Sequence, residues 1–175
     1  MLHSASRFEI VSGGPSLDDV RQLFVEYGQS LNFNLCFQSF DEELKGLPGE
    51  YAAPNGRLLL CRWEDRPAGC VALRQLDPAT CEMKRLFVRP EFRGHRLGEL
   101  LVNRVLAEAR DAGYQRIRLD TIRGAMDQAI ALYRALGFQE IPPYTTNPIA
   151  SAIFMELQLQ SVASSKKGSL RSKRR

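Results

Sequence analysis

The sequence predicts an α/β domain built on a mixed sheet with helices packed against it. Two kinds of apolar period carry that prediction. Val20, Phe24, Tyr27 and Leu31, and again Leu97, Leu101, Val105 and Ala109, recur at steps of three or four, the spacing of one helix face. Between them, residues 58–88 break into three apolar runs separated by Asp65-Arg66-Pro67 and Asp77-Pro78, the texture of an antiparallel meander. The order of elements is the third observation. It reads β-α-α-β-β-β-α-β-α-β-β without an internal repeat, so one domain is expected over 1–160.

Each element has a local reason. Phe8 to Val11 makes a short first strand, stopped by Gly13-Gly14-Pro15. Ser16 caps the first helix, and Asp18 and Asp19 in its opening turn suit the positive end of the helix dipole. A shorter helix covers Ser39 to Leu44 and stops near Gly46-Leu47-Pro48-Gly49. Strands follow at Leu58–Trp63, Gly69–Leu76 and Cys81–Val88, and Arg89-Pro90 ends the third because proline cannot donate to a ladder. A long helix runs from about Leu97 to Ala112 and halts at Gly113. Arg116 to Thr121 is a strand. Ala129, Leu132, Tyr133 and Leu136 form the stripe of another helix, stopped by Gly137. Phe138–Ile141 and Ser151–Leu159 are the last strands, parted by Pro142-Pro143.

The 175 residues are 44% apolar and 25% charged, ordinary for a globular chain. No apolar run approaches the roughly 20 residues of a membrane span. Met1 to Ile10 holds no stretch of signal-peptide length, so a cytoplasmic location without a membrane partner is expected. The net charge of +4 is misleading. Residues 161–175 carry six Lys or Arg and no acid, and without them 18 basic residues face 20 acidic ones, a net of −2. Positive charge therefore belongs to a Ser- and Lys/Arg-rich tail, expected to be disordered, and nucleic acid is expected as a partner only through it. Cys36, Cys61, Cys70 and Cys81 contain no CxxC pair, and Cys61 and Cys70 sit in apolar runs, so reduced, buried thiols are expected. His3 and His95 are too few and too scattered for a zinc site, and no metal is expected.

The chemistry concentrates in Val88-Arg89-Pro90-Glu91-Phe92-Arg93-Gly94-His95-Arg96-Leu97-Gly98, a strand end, a turn, a glycine-bearing loop and a helix start. Backbone N–H groups at such a junction lack intrahelical partners and lie at the positive end of the dipole, which suits phosphate oxygens. Gly94 and Gly98 allow close approach, and Arg93 and Arg96 add charge. A tight turn with solvated arginines would account for the same residues.

Arg93-Gly94-His95-Arg96-Leu97-Gly98 resembles the Arg/Gln-x-x-Gly-x-Gly/Ala motif of the GNAT superfamily of N-acetyltransferases. Downstream, Ala129-Ile130-Ala131-Leu132-Tyr133-Arg134-Ala135-Leu136-Gly137-Phe138 is similar to that family's second signature, Ala-x-x-Leu-Tyr-x-x-x-Gly-Phe. The resemblance covers roughly residues 7–159. It implies a mostly antiparallel mixed sheet of about six to seven strands with about four helices, and acetyl-CoA as cosubstrate. It also implies that the N–H groups of Arg93, Gly94, His95, Arg96, Leu97 and Gly98 hold the CoA pyrophosphate. The backbone of Leu86, Phe87 and Val88 would pair with the pantetheine arm where the sheet splays, and an N–H near Val88 would polarise the thioester carbonyl. Two positions depart from the pattern. Arg96 stands where the family usually has Gly, and Met126 where it often has a CoA-binding Asn, leaving Asp127 or Gln128 as replacements.

By the same resemblance Tyr133 is the general acid that protonates the departing CoA thiolate. Glu82 is the residue that draws a proton from the incoming ammonium, against the plainer reading of a solvated glutamate paired with Lys84 or Arg85. From Glu82 to Val88 a regular strand spans roughly 20 Å, so a role at the thioester needs a bulge or a water relay. His95 fits better as a backbone donor than as a base; Asp120 follows a strand, where it either faces the cleft or caps, and capping is the plainer role. Phe33, Phe37, Phe40 and Tyr51, with Tyr144 opposite, lie where the family shapes its acceptor pocket. The leading reading is acetyl transfer to a small-molecule amine. Transfer to protein lysines or N-termini is the alternative, and a non-catalytic CoA-binding module or a tail-mediated nucleic-acid binder represents another class. The oligomeric state, monomer or homodimer, stays open.

Overall fold

In the computed structural model, which describes residues 7–35 and 39–159, the elements follow one another in the predicted order. They are β1 (Phe8–Ser12), α1 (Leu17–Ser30), α2 (Phe40–Gly46), β2 (Arg57–Trp63), β3 (Arg66–Asp77), β4 (Thr80–Val88), α3 (Leu97–Asp111), β5 (Arg116–Ile122), α4 (Asp127–Ala135), β6 (Gln139–Ile141) and β7 (Ala152–Gln158). The expectations for His3, Cys36, Phe37 and the 161–175 tail lie outside the described residues. No helix among the described residues is long and apolar enough to cross a membrane.

The sheet runs β1-β2-β3-β4-β5-β7-β6. Every neighbouring pair is antiparallel except β4 and β5, which are parallel and therefore need a crossover, supplied by α3. One core lies between the sheet and α3 with α4. There Leu97, Leu101, Val105 and Ala109 bury the predicted stripe against Val71, Leu73, Cys81, Met83, Ile117 and Leu119. The other lies under α1 and α2, where Val20, Leu23 and Phe24 meet Leu58, Leu60, Cys70, Ala72 and Phe87. Cys61, Cys70 and Cys81 are free and buried, as their apolar surroundings implied.

Both long-helix stops work by the same closure. Gly113 and Gly137 adopt positive φ (+89° and +97°) just past α3 and α4. Tyr114 N–H then reaches the Ala109 carbonyl at 3.1 Å, and Phe138 N–H the Tyr133 carbonyl at 3.0 Å. This left-handed closure brings the residue after the glycine onto the last helical turn. The Tyr133 and Phe138 rings meet with centroids 5.6 Å apart. The Tyr-x-x-x-Gly-Phe spacing is thus, locally, a helix-capping device that seats Tyr133. The expected cap at Ser16 differs. Its hydroxyl accepts from Arg62 Nη2 at 3.2 Å, because that guanidinium is drawn to the same spot by Asp19 at 2.7 Å, and α1 carries no side-chain cap.

Two irregularities shape the middle of the sheet. β4 carries a bulge: Lys84 pairs with Ala72 and Phe87 with Cys70, so Arg85 and Leu86 together oppose Val71. Arg85 takes φ +59° to do so. The extra residue inverts the alternation of the strand. Met83 faces the α3 core, whereas Phe87 faces the α1 core and Leu86 and Val88 pack against the α3 side. The second irregularity is the short parallel ladder, which pairs only Thr80–Glu82 with Arg116–Arg118. Beyond it β4 and β5 diverge and leave a wedge.

Candidate active site

The wedge opens into a cavity of about 650 Å³. Leu86, Phe87 and Val88 of β4 form one wall, Leu119, Asp120 and Thr121 of β5 the other, and Tyr133 of α4 closes one flank. Arg93, Gly94, Arg96, Leu97 and Gly98 form the rim. The backbone N–H groups of Gly94, His95, Arg96, Leu97 and Gly98 donate to no acceptor among the described residues. The Arg93 N–H differs, since it closes a turn onto the Pro90 carbonyl at 3.2 Å. Gly94 holds φ +86°, and a Cβ built there would meet nothing within 4 Å. At Gly98 a Cβ would touch only Val88 Cγ2, at 4.0 Å. Packing does not require either glycine to be small; the space in front of them belongs to the cavity. Unpaired donors at a helix N-terminus beside open space fit a pyrophosphate.

Arg96 reaches the loop geometry with its Cβ, at φ +59°, a conformation that costs a non-glycine residue roughly 1 kcal/mol. Its guanidinium forks onto Glu99 at 2.9 and 2.8 Å, so its charge is offset on the spot. Arg93 Nε instead contacts the Val88 carbonyl at 3.3 Å. His95 does not line the cavity. Its ring stacks on Trp63 at 4.3 Å, so only its backbone faces the loop.

Tyr133 is 6% exposed and no described residue hydrogen-bonds its hydroxyl. No buried side-chain oxygen is left unsatisfied, so that hydroxyl opens onto the cavity. Burial, with Tyr27 and Asp120 adding negative potential, pushes its phenol well above the ordinary value of 10. The group stays protonated across the working pH range and is chemically a donor. At the Met126 position the replacements separate: Asp127 Oδ1 accepts from Gly124 N–H at 2.8 Å, while Gln128 lines the cavity.

A second cavity, of about 440 Å³, lies on the α2 side of β4. Glu82 opens onto this one and not onto the first. The solvated reading of Glu82 is wrong: it is 1% exposed, and its partner is neither Lys84 nor Arg85. Arg74 Nε donates to Oε2 at 2.6 Å and Tyr144 donates its hydroxyl to Oε1 at 2.8 Å. That bond and burial hold the Tyr144 phenol far above its usual value. Arg85 is also buried, forking onto Glu43 at 2.9 and 2.6 Å, while Tyr51 donates to the same carboxylate at 2.7 Å. Phe40 packs under the Arg85 guanidinium at 5.0 Å. Phe33 lines the first cavity and Tyr51 the second. Asp120 is not a cap; it sits inside β5 and accepts from Asn147 Nδ2 at 2.9 Å.

The sequence-predicted residues therefore divide. Tyr133, Leu86–Val88 and the 93–98 loop converge on one cavity, and Glu82 stands in the next. Sequence reading missed Arg74, Arg85 and Lys84 as site residues, and it preferred a cap over a cleft position for Asp120. Arg85 had a signal, since the apolar positions move from Cys81 and Met83 to Leu86 and Val88, a change of parity that implies a bulge. Arg74 and Lys84 had none.

Comparison with known proteins agrees with this geometry. Residues 17–138 match the acetyltransferase (GNAT) family. An uncharacterized N-acetyltransferase of Schizosaccharomyces pombe is 41% identical over 145 residues, 82% of this chain and 88% of that one. An acetyltransferase of Streptococcus agalactiae superposes with a TM-score of 0.73 at 23% identity, over 89% of this chain and all of its own. A Salmonella typhimurium protein solved with its cofactor acetyl-CoA superposes with a TM-score of 0.62 at 19% identity, over 91% and 98% of the two chains.

Proposed function

The chain belongs to the acetyltransferase (GNAT) family and is an acyltransferase, and from that premise we propose that it moves the acetyl group of acetyl-CoA onto a primary amine of a small molecule. One observation carries the reading. The unpartnered N–H groups of Gly94–Gly98 and the free hydroxyl of Tyr133 open onto the same cavity, along the unpaired edge of β4. Acetyl-CoA bound there supplies an activated thioester. Gly94–Gly98 hold its phosphates by backbone donors, Gln128 adds a polar contact, and Leu86–Val88 receive the pantetheine arm as a strand would be received.

On the acceptor side, Glu82 takes the ammonium proton through water or through Tyr144, whose hydroxyl already lies on its carboxylate. The β4 bulge lies between Lys84 and Phe87, where the acceptor chamber and the wedge adjoin. An N–H near Val88 polarises the thioester carbonyl, and Tyr133 delivers a proton to the leaving sulfur. The acceptor chamber is walled by α2, β3 and β4, and its 440 Å³ falls in the small-ligand range of about 300–1,000 Å³. That favours a small amine over an extended peptide.

Tyr133→Phe keeps the ring and its contact with Phe138 and removes only the proton. With a primary amine and acetyl-CoA, thiol release across pH 6–9 should show kcat down roughly 10²- to 10⁴-fold. A CoA thiolate with a pKa near 8.5 leaves readily, which places the expectation at the low end. CoA affinity should stay within about twofold. Wild-type kcat at every pH would make Tyr133 a core residue and overturn its assignment as the acid.

A further inference from the structure

Among the described residues, two alone line both cavities, Lys84 of β4 and Asp120 of β5. They mark the neck between the cofactor wedge and the acceptor chamber, where the reacting amine must lie. Their relation follows from the strand register. The parallel ladder ends with Glu82 opposite Arg118, so two residues further on Lys84 would stand opposite Asp120. In a continued ladder these side chains would share a face and form a cross-strand ion pair. The splay pulls the strands apart at this step. Lys84 and Asp120 make no ion pair, although the Asp120 charge still acts on the Lys84 amine, behind that of Glu82.

Each remaining carboxylate around the chamber is held by a cation, with Arg74 shared between two of them. Glu42 is held by Lys45, Glu43 by Arg85, and Glu50 and Glu82 by Arg74. Asp120 has only the neutral amide of Asn147. Lys84 has no hydrogen bond or ion pair among the described residues, and burial pulls its amine below the ordinary value, a cost that an anion beside it would offset. Counted with the cations that hold it, the chamber lining thus carries one carboxylate in excess, and at the reaction neck it presents one separated cation and one separated anion.

Resting on the function proposed above, we infer that the acceptor is a zwitterion, a free α-amino acid, whose ammonium is held at Asp120 and whose carboxylate is held at Lys84. The pair opened by the splay is re-formed through the substrate. In that pose the amine sits between β5 and the thioester wall, and the side chain projects into the chamber lined by Leu47, Pro48 and Tyr51. The acetyl carbon gains a bond to the amine nitrogen and loses its bond to sulfur. One ammonium proton leaves through Glu82 before attack; the nitrogen gives up a second as the intermediate collapses, and this proton, passed through solvent, replaces the one that Tyr133 delivers to the thiolate.

The experiment compares a panel of free amino acids with their C-terminal amides and their decarboxylated amines, by thiol release from acetyl-CoA and by calorimetric titration into the CoA-loaded protein. The free acids should exceed amides and decarboxylated amines by roughly 10- to 100-fold in kcat/KM, the worth of one charge-assisted contact. They should also bind the CoA complex where the amides give no heat. Lys84→Met, which keeps the length of the side chain, should reduce the acid-to-amide ratio to about one, and Lys84→Arg should restore most of it. Amides or decarboxylated amines that react as well as the acids in the wild type would overturn the zwitterion and leave the small-amine reading standing. Peptides with a free N-terminus that outcompete free amino acids would overturn it in favour of a protein acceptor. If CoA binds but no amine of any kind accelerates thiol release, the function proposed above falls first and the zwitterion with it.

Discussion

The two sides of the wedge are built by opposite means. On the side proposed to take the cofactor, the wall offers main chain: five consecutive N–H groups at the start of α3 and the bare edge of β4, with little side-chain chemistry beyond Tyr133. On the acceptor side the main chain does little. A lattice of side chains centred on buried Glu82 and Arg85, Glu82–Arg74 with exposed Glu50 and Arg85–Glu43–Tyr51, ties α2, β3 and β4 together. Backbone donors need only a loop of the right shape, so they are encoded in a few neighbouring residues and tolerate side-chain change. A side-chain lattice needs every partner present, and those partners are scattered from position 43 to 144.

That contrast predicts different failures. The largest should come from the acceptor side. Glu82→Ala strips the buried carboxylate from Arg74 and leaves the Tyr144 hydroxyl without its acceptor. Removing one member of a buried pair costs about 3–5 kcal/mol. Arg74 keeps Glu50 and part of its solvent contact, which places the expectation near 3 kcal/mol, read as a shift in the denaturation midpoint. An unshifted midpoint would show that the lattice is not a structural tie.

The cofactor side should break more gently and more selectively. Gly94→Val forces a β-branched residue into φ +86°, at a cost of roughly 1–2 kcal/mol. Nothing within 4 Å of the new Cβ opposes it, so the fold should persist. CoA affinity should drop by about tenfold or more, because the side chain occupies the space in front of the donors. Unchanged affinity would mean that the loop does not hold the phosphates.

The smallest effect concerns the tie between α1 and the end of β4. Arg89 forks onto Glu26 at 2.8 Å on both arms, and that bonding holds the Glu26 carboxyl below its ordinary 4.5. A depressed folded-state pKa gives stability that is present above the unfolded value and lost as pH falls through the folded one. Wild type should therefore exceed Glu26→Gln by at most about 1 kcal/mol at pH 7. The gap should close as the pH drops below about 4.5, which melting temperatures at pH 3 and 7 will measure. A constant gap would assign the difference to packing.

How much of this was legible depends on the same contrast. The 93–98 loop and the Tyr133 seat were readable because each is one contiguous stretch whose geometry is set within a few residues: a positive-φ glycine, an unsatisfied helix start, a left-handed cap. Element order and both helix stripes were readable for the same local reason. Glu82 was legible only as a carboxylate in a strand, and its burial on Arg74 and Tyr144 depends on contacts 8 and 62 positions away. Lys84 was not legible as a site residue, and Asp120 only as an acid after a strand, between the cleft and a cap. Their meaning lies in where a ladder stops, and no pattern in either strand announces that the pairing ends at Glu82 and Arg118. Ser16 shows the converse, a sound local rule overridden by a guanidinium 46 positions away.

Trp63 carries a consequence of another kind. It is the chain's one tryptophan, and its ring lies 4.3 Å from that of His95 in the 93–98 loop, tilted by 32°. Selective excitation of indole therefore interrogates a single place in the molecule. The natural chain arrives with its own optical reporter, positioned where a designer of a label-free sensor for loop occupancy would have put one.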